Sequence, residues 1–156
     1  MNKAFLKELD APTDQHCPKC GALATAVGRE TLAAHLADDA VRTLAESAYF
    51  CRWPDCDVAY FDQFGRIVCR DALLRPVYPK DRTAAICACF GLTRDDIEQD
   101  LREGVVTRCR DIVNRSKSPE ARCAIMAADG QCCVPEVQRY YLKLRQQASE
   151  ARDEAP

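Results

Sequence analysis

The sequence has little of several features on which common protein functions depend. Its 156 residues include two histidines, two methionines and one tryptophan. The 22 lysine and arginine residues face 24 acidic ones, a net charge of −2, so the chain lacks the basic field that draws proteins onto nucleic acid or anionic membranes. No apolar run approaches the roughly 20 residues that span a bilayer. We therefore expect neither nonspecific nucleic-acid binding nor membrane insertion.

The beginning of the sequence does not resemble an export signal. Residues 1–8, MNKAFLKE, carry charges too early for the apolar core of a signal peptide. A cytoplasmic protein is the expectation. No residue group resembles a nucleophile with its base, so hydrolytic catalysis is not expected.

Cysteine, in contrast, is abundant. There are 11 cysteines, at positions 17, 20, 51, 56, 69, 87, 89, 109, 123, 132 and 133. The odd number and the expected reducing compartment argue against a disulfide framework, and clustered thiols in such a compartment more often bind metal. The cysteines are therefore the candidate functional residues.

The chain is predicted to have an α+β fold in two modules, residues 1–75 and 76–156. The boundary is placed near 71–82, where Pro76 and Pro79 interrupt any regular pattern. The first module has strand-like segments at 23–27, 48–50, 58–61 and 66–68, and a helical stretch between residues 32 and 44 that restarts near Asp38. Its coarse order is β-α-β-β.

The second module is predicted to be mostly helical. Thr93 is placed to cap a first helix that Gly104 ends, and Thr107 to cap a second. A third helix begins near Pro135, where an apolar stripe starts.

Four cysteines of the first module form a candidate zinc site. Cys17 and Cys20 lie in the turn CPKCG, and Cys51 and Cys56 lie in CRWPDC at the tip of the predicted hairpin. Four thiolates give the closed tetrahedral shell of structural zinc, and a metal offsets what a small core lacks. A redox CxxC would not explain the second pair.

The two histidines are less convincing ligands than these cysteines. His16 lies just outside the CPKCG turn and is expected to be exposed, although it could replace one cysteine as a zinc ligand. His35 falls among apolar helix positions and is expected to be packed or exposed rather than to bind metal.

Cysteines of the second module form a candidate [2Fe-2S] site. Cys87 and Cys89 form a CxC pair suited to two ligands on one iron, and Cys123, Cys132 and Cys133 follow downstream. Such a cluster needs four thiolates, two per iron. Helix N-termini near residue 90 and at Cys133 would direct N–H groups toward the anionic cluster.

These motifs resemble a known combination of modules. The string CACFGLT (87–93) with GQCCVPEV (130–137) resembles the BFD-like cluster module, named after bacterioferritin-associated ferredoxin. The strings CPKCG (17–21) and FCRWPDCDVAYF (50–61) are similar to the zinc-binding part of the N-terminal domain of CopZ copper chaperones, which joins both modules in this order. The resemblance covers roughly residues 15–145.

The resemblance implies a zinc- and [2Fe-2S]-binding protein linked to copper handling, with reduction of Cu(II) to Cu(I) as a possible activity. Carried over by position, the cluster ligands are Cys87, Cys89, Cys123 and either Cys132 or Cys133, of which Cys133 is favoured by its spacing to Val137. The implied partners are copper ions or a copper-handling or redox protein. The family's chaperones continue into a further copper-binding domain, for which these 156 residues have no counterpart.

Three cysteines have no assigned ion. Cys69 and Cys109 are expected to be structural, and Cys132 is the candidate for transient Cu(I) contact because Cu(I) prefers thiolates. Three functions remain open: a one-electron redox protein of copper homeostasis, a general ferredoxin-like electron carrier, and a module in which both metals are structural.

Overall fold

The computed structural model describes residues 14–154, so the expectation drawn from residues 1–8 lies outside the described part. An antiparallel sheet with two short helices comes first, and four further helices follow. The elements are β1 (Ala24–Val27), α1 (Arg29–His35), α2 (Asp38–Thr43), β2 (Ala48–Cys51), β3 (Val58–Asp62), β4 (Ile67–Cys69), a 3-10 turn (Arg70–Ala72), α3 (Arg94–Glu103), α4 (Thr107–Arg115), α5 (Cys123–Met126) and α6 (Val134–Asp153). The predicted α+β class is confirmed.

The sheet has the strand order β1-β2-β3-β4, with every neighbouring pair antiparallel. The strand β4 corresponds to the strand-like segment predicted at 66–68, which the coarse β-α-β-β order did not count separately. All five residues of β3 are buried because both faces of this strand are covered. Ala59 and Tyr60 pack in the main core with Leu32. Val58 and Phe61 pack instead against three cysteines of the candidate zinc site, Cys17, Cys51 and Cys56. The sheet therefore supports the candidate zinc site directly.

Helix α3 has the caps that its sequence predicts. The Thr93 hydroxyl accepts a hydrogen bond from the Asp96 backbone N–H, and the Asp96 carboxylate accepts one from the Thr93 N–H, which forms a reciprocal capping box. Gly104 follows the helix with φ of 69°, the left-handed conformation that glycine adopts without strain. These two predictions are confirmed.

The predicted cap of helix α4 is wrong. Thr107 is the first residue of the helix, and Val106 occupies the cap position without a side-chain hydrogen bond. The buried Asp100 of α3 takes over this role, because its carboxylate accepts hydrogen bonds from the Cys109 N–H and the Arg108 guanidinium, both at 2.9 Å. A carboxylate of the neighbouring helix α3 thus accepts a hydrogen bond from a free backbone N–H group at the N-terminus of α4.

The last two helices, α5 and α6, differ in how far the sequence predicted them. The short helix α5 has no counterpart in the prediction. Helix α6 begins at Val134 with Pro135 in its first turn, which confirms the start predicted near Pro135. No helix among residues 14–154 is long and apolar enough to cross a membrane.

The sheet part and the helical part are in contact. Helix α1 packs against α5, and Ala128, just after α5, joins the core of the sheet part. The buried Tyr60 hydroxyl donates a hydrogen bond to the Ala128 carbonyl at 2.6 Å. The Thr31 hydroxyl donates to the Ala124 carbonyl. The loop that leads to Cys132 and Cys133 is therefore anchored on the sheet.

Candidate metal centres

The first cysteine turn is closed by its own backbone. The Cys17 N–H donates to the Ala22 carbonyl and the Gly21 N–H donates to the Cys17 carbonyl, both at 2.9 Å. Gly21 has φ of 75°, which a residue with a side chain rarely adopts. This turn directs the thiols of Cys17 and Cys20 to the same side of the chain.

The second cysteine pair is brought to this turn by the sheet. Cys51 is the last residue of β2 and lies opposite Ala24 of β1, which follows the first turn directly. A turn with a hydrogen bond from the Cys56 N–H to the Trp53 carbonyl at 3.2 Å returns the chain into β3. The pairing of β1 with β2 thus sets the distance between the two cysteine turns.

The four sulfur atoms of this first cysteine group form a compact set. The Sγ atoms of Cys17, Cys20, Cys51 and Cys56 all lie within 4.8 Å of one another. Cys17 and Cys56 are separated by 3.9 Å, and Cys20 and Cys51 by 3.6 Å. A tetrahedral zinc with Zn–S of about 2.3 Å requires sulfur separations of about 3.8 Å. The residues present therefore fit a four-thiolate zinc ion.

Backbone N–H groups face these sulfur atoms and influence their protonation. Burial opposes ionisation of Cys17, but the N–H groups of Cys20 and Lys19 outweigh it and lower the pKa of Cys17. Burial raises the pKa of Cys51 to about 12, although the Trp53 N–H acts in the opposite direction. Burial likewise raises the pKa of Cys56. Without a metal, Cys51 and Cys56 therefore hold their protons more tightly than a free cysteine does.

The second cysteine group begins in a loop of the same form as the first turn. The Cys87 N–H donates to the Leu92 carbonyl at 3.1 Å, and the Gly91 N–H donates to the Cys87 carbonyl at 2.8 Å. Gly91 has φ of 75°, as Gly21 does. The shared signal is a glycine four residues after the first cysteine, which sequence reasoning did not use.

Five thiols lie near one another in this second group. The Sγ atoms of Cys89 and Cys123 are 3.8 Å apart. The buried Cys87 and Cys133 belong to one core cluster and interact electrostatically, and the exposed Cys132 interacts with Cys123. Each cysteine of the CxC pair therefore has a partner from the downstream helices.

The protonation of these thiols is strongly coupled. The hydrogen bond with Cys133 lowers the pKa of Cys87 to about 6, and the same contact raises the pKa of Cys133. Burial raises the pKa of Cys123 to about 12. The Arg115 guanidinium lies 4.2 Å from the centre of the Phe90 ring, and its charge favours the Cys87 thiolate. The thiol number and this nearby cation fit an anionic, thiolate-bound cluster.

The remaining candidate residues lie outside both groups. Cys69 and Cys109 are partly buried, and burial together with Asp100 raises the pKa of Cys109 to about 12. His16 is exposed, as expected. His35 is 1% exposed and packed at the contact of α1 with α5, and neither of its ring nitrogens has a hydrogen-bond partner in the described part of the chain.

Sequence reasoning missed two cations beside the first cysteine group. Lys80 is buried and donates to the carbonyls of Trp53 and Cys56, and Arg70 donates to the Pro54 carbonyl. Nothing in the local sequence marks either residue, because each reaches the cysteine turn from a distant part of the chain.

Comparison with known proteins bears on the first cysteine group. Residues 14–74 match the family zf_CopZ, described as a zinc binding domain. This range contains all four cysteines of the first group. Metal binding in this part of the chain is thus supported by both the match and the sulfur geometry.

The fold also matches a solved structure, the X-ray structure of the N-terminal domain of Archaeoglobus fulgidus CopZ. The TM-score is 0.68 at 22% sequence identity, over 80% of this chain and 96% of that domain. At this identity the likeness establishes the fold. No curated protein matches this chain.

Proposed function

We propose that this chain is a redox protein that binds one structural zinc and one [2Fe-2S] cluster and transfers single electrons, in the service of copper handling. The zinc module comprises residues 1–75 and the cluster module residues 76–156. The observation that carries the proposal is the approach of thiols from distant positions in the second cysteine group, where the Sγ atoms of Cys89 and Cys123 are 3.8 Å apart. The compact set of four sulfur atoms in the first group supports the zinc part of the proposal.

Cys17, Cys20, Cys51 and Cys56 would hold the zinc. The ion has no redox chemistry and, in this closed shell, no open position for substrate, so its role is structural. The apolar side chains of Val58 and Phe61 pack against the three buried cysteines of the site, whereas Cys20 is exposed. Zinc thereby stabilises the sheet on which the loop before Cys132 is anchored.

Cys87, Cys89, Cys123 and Cys133 would hold the [2Fe-2S] cluster. Cys89 lies against Cys123, and Cys87 interacts with Cys133. Each iron would therefore take one cysteine of the CxC pair and one downstream cysteine, and not both cysteines of the CxC pair as the sequence alone suggested. Cys133 is 9% exposed and contacts Cys87, whereas Cys132 is exposed. These differences favour Cys133 over Cys132 as the fourth ligand.

A bound cluster of this type supplies one-electron chemistry, at about −400 mV for all-cysteine plant-type centres. Cu(II) would take one electron from the reduced protein and become Cu(I), while the protein returns to its oxidised form. A cellular one-electron donor must then reduce the protein again. The exposed Cys132 thiol lies beside the cluster thiols and suits Cu(I), which prefers sulfur ligands.

Metal analysis tests the two sites. Anaerobically purified protein should contain about one zinc, two irons and matching acid-labile sulfide for each chain. Cys17→Ser should lose zinc. Cys133→Ser should abolish or shift the visible cluster spectrum, whereas the neighbouring Cys132→Ser should leave it nearly intact. Iron without sulfide, or the reverse pattern for the two serine variants, would contradict the proposal.

A stoichiometric reaction tests the copper role. Protein reduced with dithionite and freed of excess reductant is mixed with Cu(II) under argon, and Cu(I) is captured by a chromogenic chelator. The visible spectrum should return to the oxidised form as one Cu(I) appears per chain. The Cys133→Ser protein treated in the same way is the control. If the spectrum reoxidises without Cu(I), the general electron-carrier function replaces the copper function.

A further inference from the structure

Lys80 is a buried lysine without a carboxylate partner. Its side chain lies in the segment that joins the two parts, and the residue is 4% exposed. Among residues 14–154, no carboxylate lies within 4.0 Å of its ammonium group. Burying a charge is costly unless an opposite charge compensates it. Asp57 is close enough to interact with the Lys80 charge, but this carboxylate is exposed and pairs with Lys19. No buried carboxylate among residues 14–154 therefore compensates Lys80.

The ammonium group of Lys80 is directed at the second cysteine turn. Its Nζ donates hydrogen bonds to the carbonyls of Trp53 at 2.7 Å and Cys56 at 3.0 Å. The charge is close enough to favour the thiolate form of Cys51. The two carbonyls and the Cys51 thiol all belong to residues 51–56, the segment that carries two of the four candidate zinc ligands.

A zinc ion with four thiolates carries a net charge of −2, because the ligands contribute −4 and the ion +2. Arg70 lies beside the same loop, where its guanidinium donates to the Pro54 carbonyl at 3.2 Å and to the Lys80 carbonyl. Lys19 is the other nearby ammonium group, but it is exposed and pairs with Asp57 at 2.8 Å. Lys80 is thus the buried ammonium that faces the site without a carboxylate partner.

We propose that Lys80 is the built-in counter-cation of the four-thiolate zinc site and that this charge pair fastens the connecting segment to it. The inference rests on the zinc site proposed above. Without the zinc–thiolate anion, Lys80 is held to the cysteine turn only by its hydrogen bonds to the carbonyls of Trp53 and Cys56. The segment around Lys80 should then detach from the cysteine turn, and the same segment continues to Cys87 of the second cysteine group.

Replacing Lys80 with methionine tests the counter-cation role, because methionine keeps an unbranched side chain and removes the charge. Lys80→Met should release zinc to an excess of chromogenic chelator about tenfold or more faster than the unmodified protein, given the usual strength of hydrogen bonds to charged groups. The matched control is Lys19→Met, which removes a cation from the neighbouring turn and should change the rate less than about twofold, as exposed pairs contribute little.

Cobalt substitution gives a readout that reduced stability alone does not move. In Co(II)-loaded protein, Lys80→Met should shift the thiolate-to-cobalt charge-transfer band, whereas Lys19→Met should leave the band in place. Equal zinc release by Lys80→Met and the unmodified protein, or equal effects of both variants, would overturn the inference. If the unmodified protein binds no zinc, the proposed function itself fails.

Hydrogen exchange on the unmodified protein provides a second test, which does not depend on whether Lys80→Met folds. The amides of Asp81 and Ala84 donate to Val77 and Asp81 within the connecting segment, at 2.8 and 3.2 Å. Zinc removal should deprotect these two amides while the amides of helix α6 stay protected. Retained protection at Asp81 and Ala84, or an equal loss throughout α6, would overturn the inference.

Discussion

Tyr60→Phe is expected to weaken the connection between the sheet and the loop of the second cysteine group. The substitution keeps the buried ring and removes only the hydroxyl, which donates to the Ala128 carbonyl at 2.6 Å. Burial raises the pKa of Tyr60, so this hydroxyl keeps its proton and remains a donor throughout the neutral range. The substitution therefore removes a single buried hydrogen bond.

The magnitude follows from the burial of both partners. Tyr60 is fully buried and Ala128 is 7% exposed, so water does not replace the lost donor without a local opening. The lost bond and the unsatisfied carbonyl together should lower the free energy of unfolding by about 2 kcal/mol. For a chain of this length, that corresponds to a decrease in Tm of about 4–8 °C.

The assay is anaerobic thermal unfolding at matched zinc and iron content, with Tyr49→Phe as the control. Tyr49 lies on the neighbouring strand β2, is half-buried and stacks on Phe61 at 5.5 Å, and its hydroxyl has no hydrogen bond in the described part of the chain. Tyr49→Phe should change Tm little. Ala128 lies in the loop between Cys123 and Cys132, so Tyr60→Phe should also hasten loss of the visible spectrum of the proposed cluster. Equal effects of the two substitutions would refute the reasoning.

Three further predictions concern other parts of the molecule. Zinc binding must displace protons from Cys51 and Cys56, whose pKa values are raised, so affinity should fall as pH falls. These two thiols alone give a decrease of about a hundredfold or more per pH unit, because each released proton contributes a factor of ten. Competition with a calibrated chelator between pH 6 and 8 measures this, and a flat profile would contradict it. Thr93→Ala should lower the free energy of unfolding by about 1 kcal/mol through loss of the α3 cap, as urea unfolding can determine. Gly130→Ala should cost about 1–2 kcal/mol, because Gly130 has φ of 67° and the new Cβ would lie 3.2 Å from the Thr31 hydroxyl. The same change at Gly28, which has extended backbone and no atom within 3.4 Å of the new Cβ, is the control for Gly130→Ala and should cost less.

Features that depend on close neighbours in the chain could be predicted from the sequence. The capping box of Thr93 with Asp96 and the helix end at Gly104 are interactions across three or four residues, so their residue types identify them directly. The same holds for the strands around the cysteine turns, because alternation and turn residues are local signals. The α+β class follows from these elements in order. The Thr107 cap was wrong because a residue from another helix, Asp100, occupies that place.

The sequence by itself thus determined which cysteines were candidates and which local turns carry them. The tertiary structure decided which thiols meet, as in the pairing of Cys89 with Cys123 across 34 positions of the chain. It also placed Lys80 against the cysteine turn and the Tyr60 hydroxyl against the Ala128 carbonyl. Such contacts depend on how the sheet and helices pack, and residue type or spacing carries no signal for them. Local chemistry therefore identified the candidate ligands, whereas packing supplied the charge and the anchoring around them.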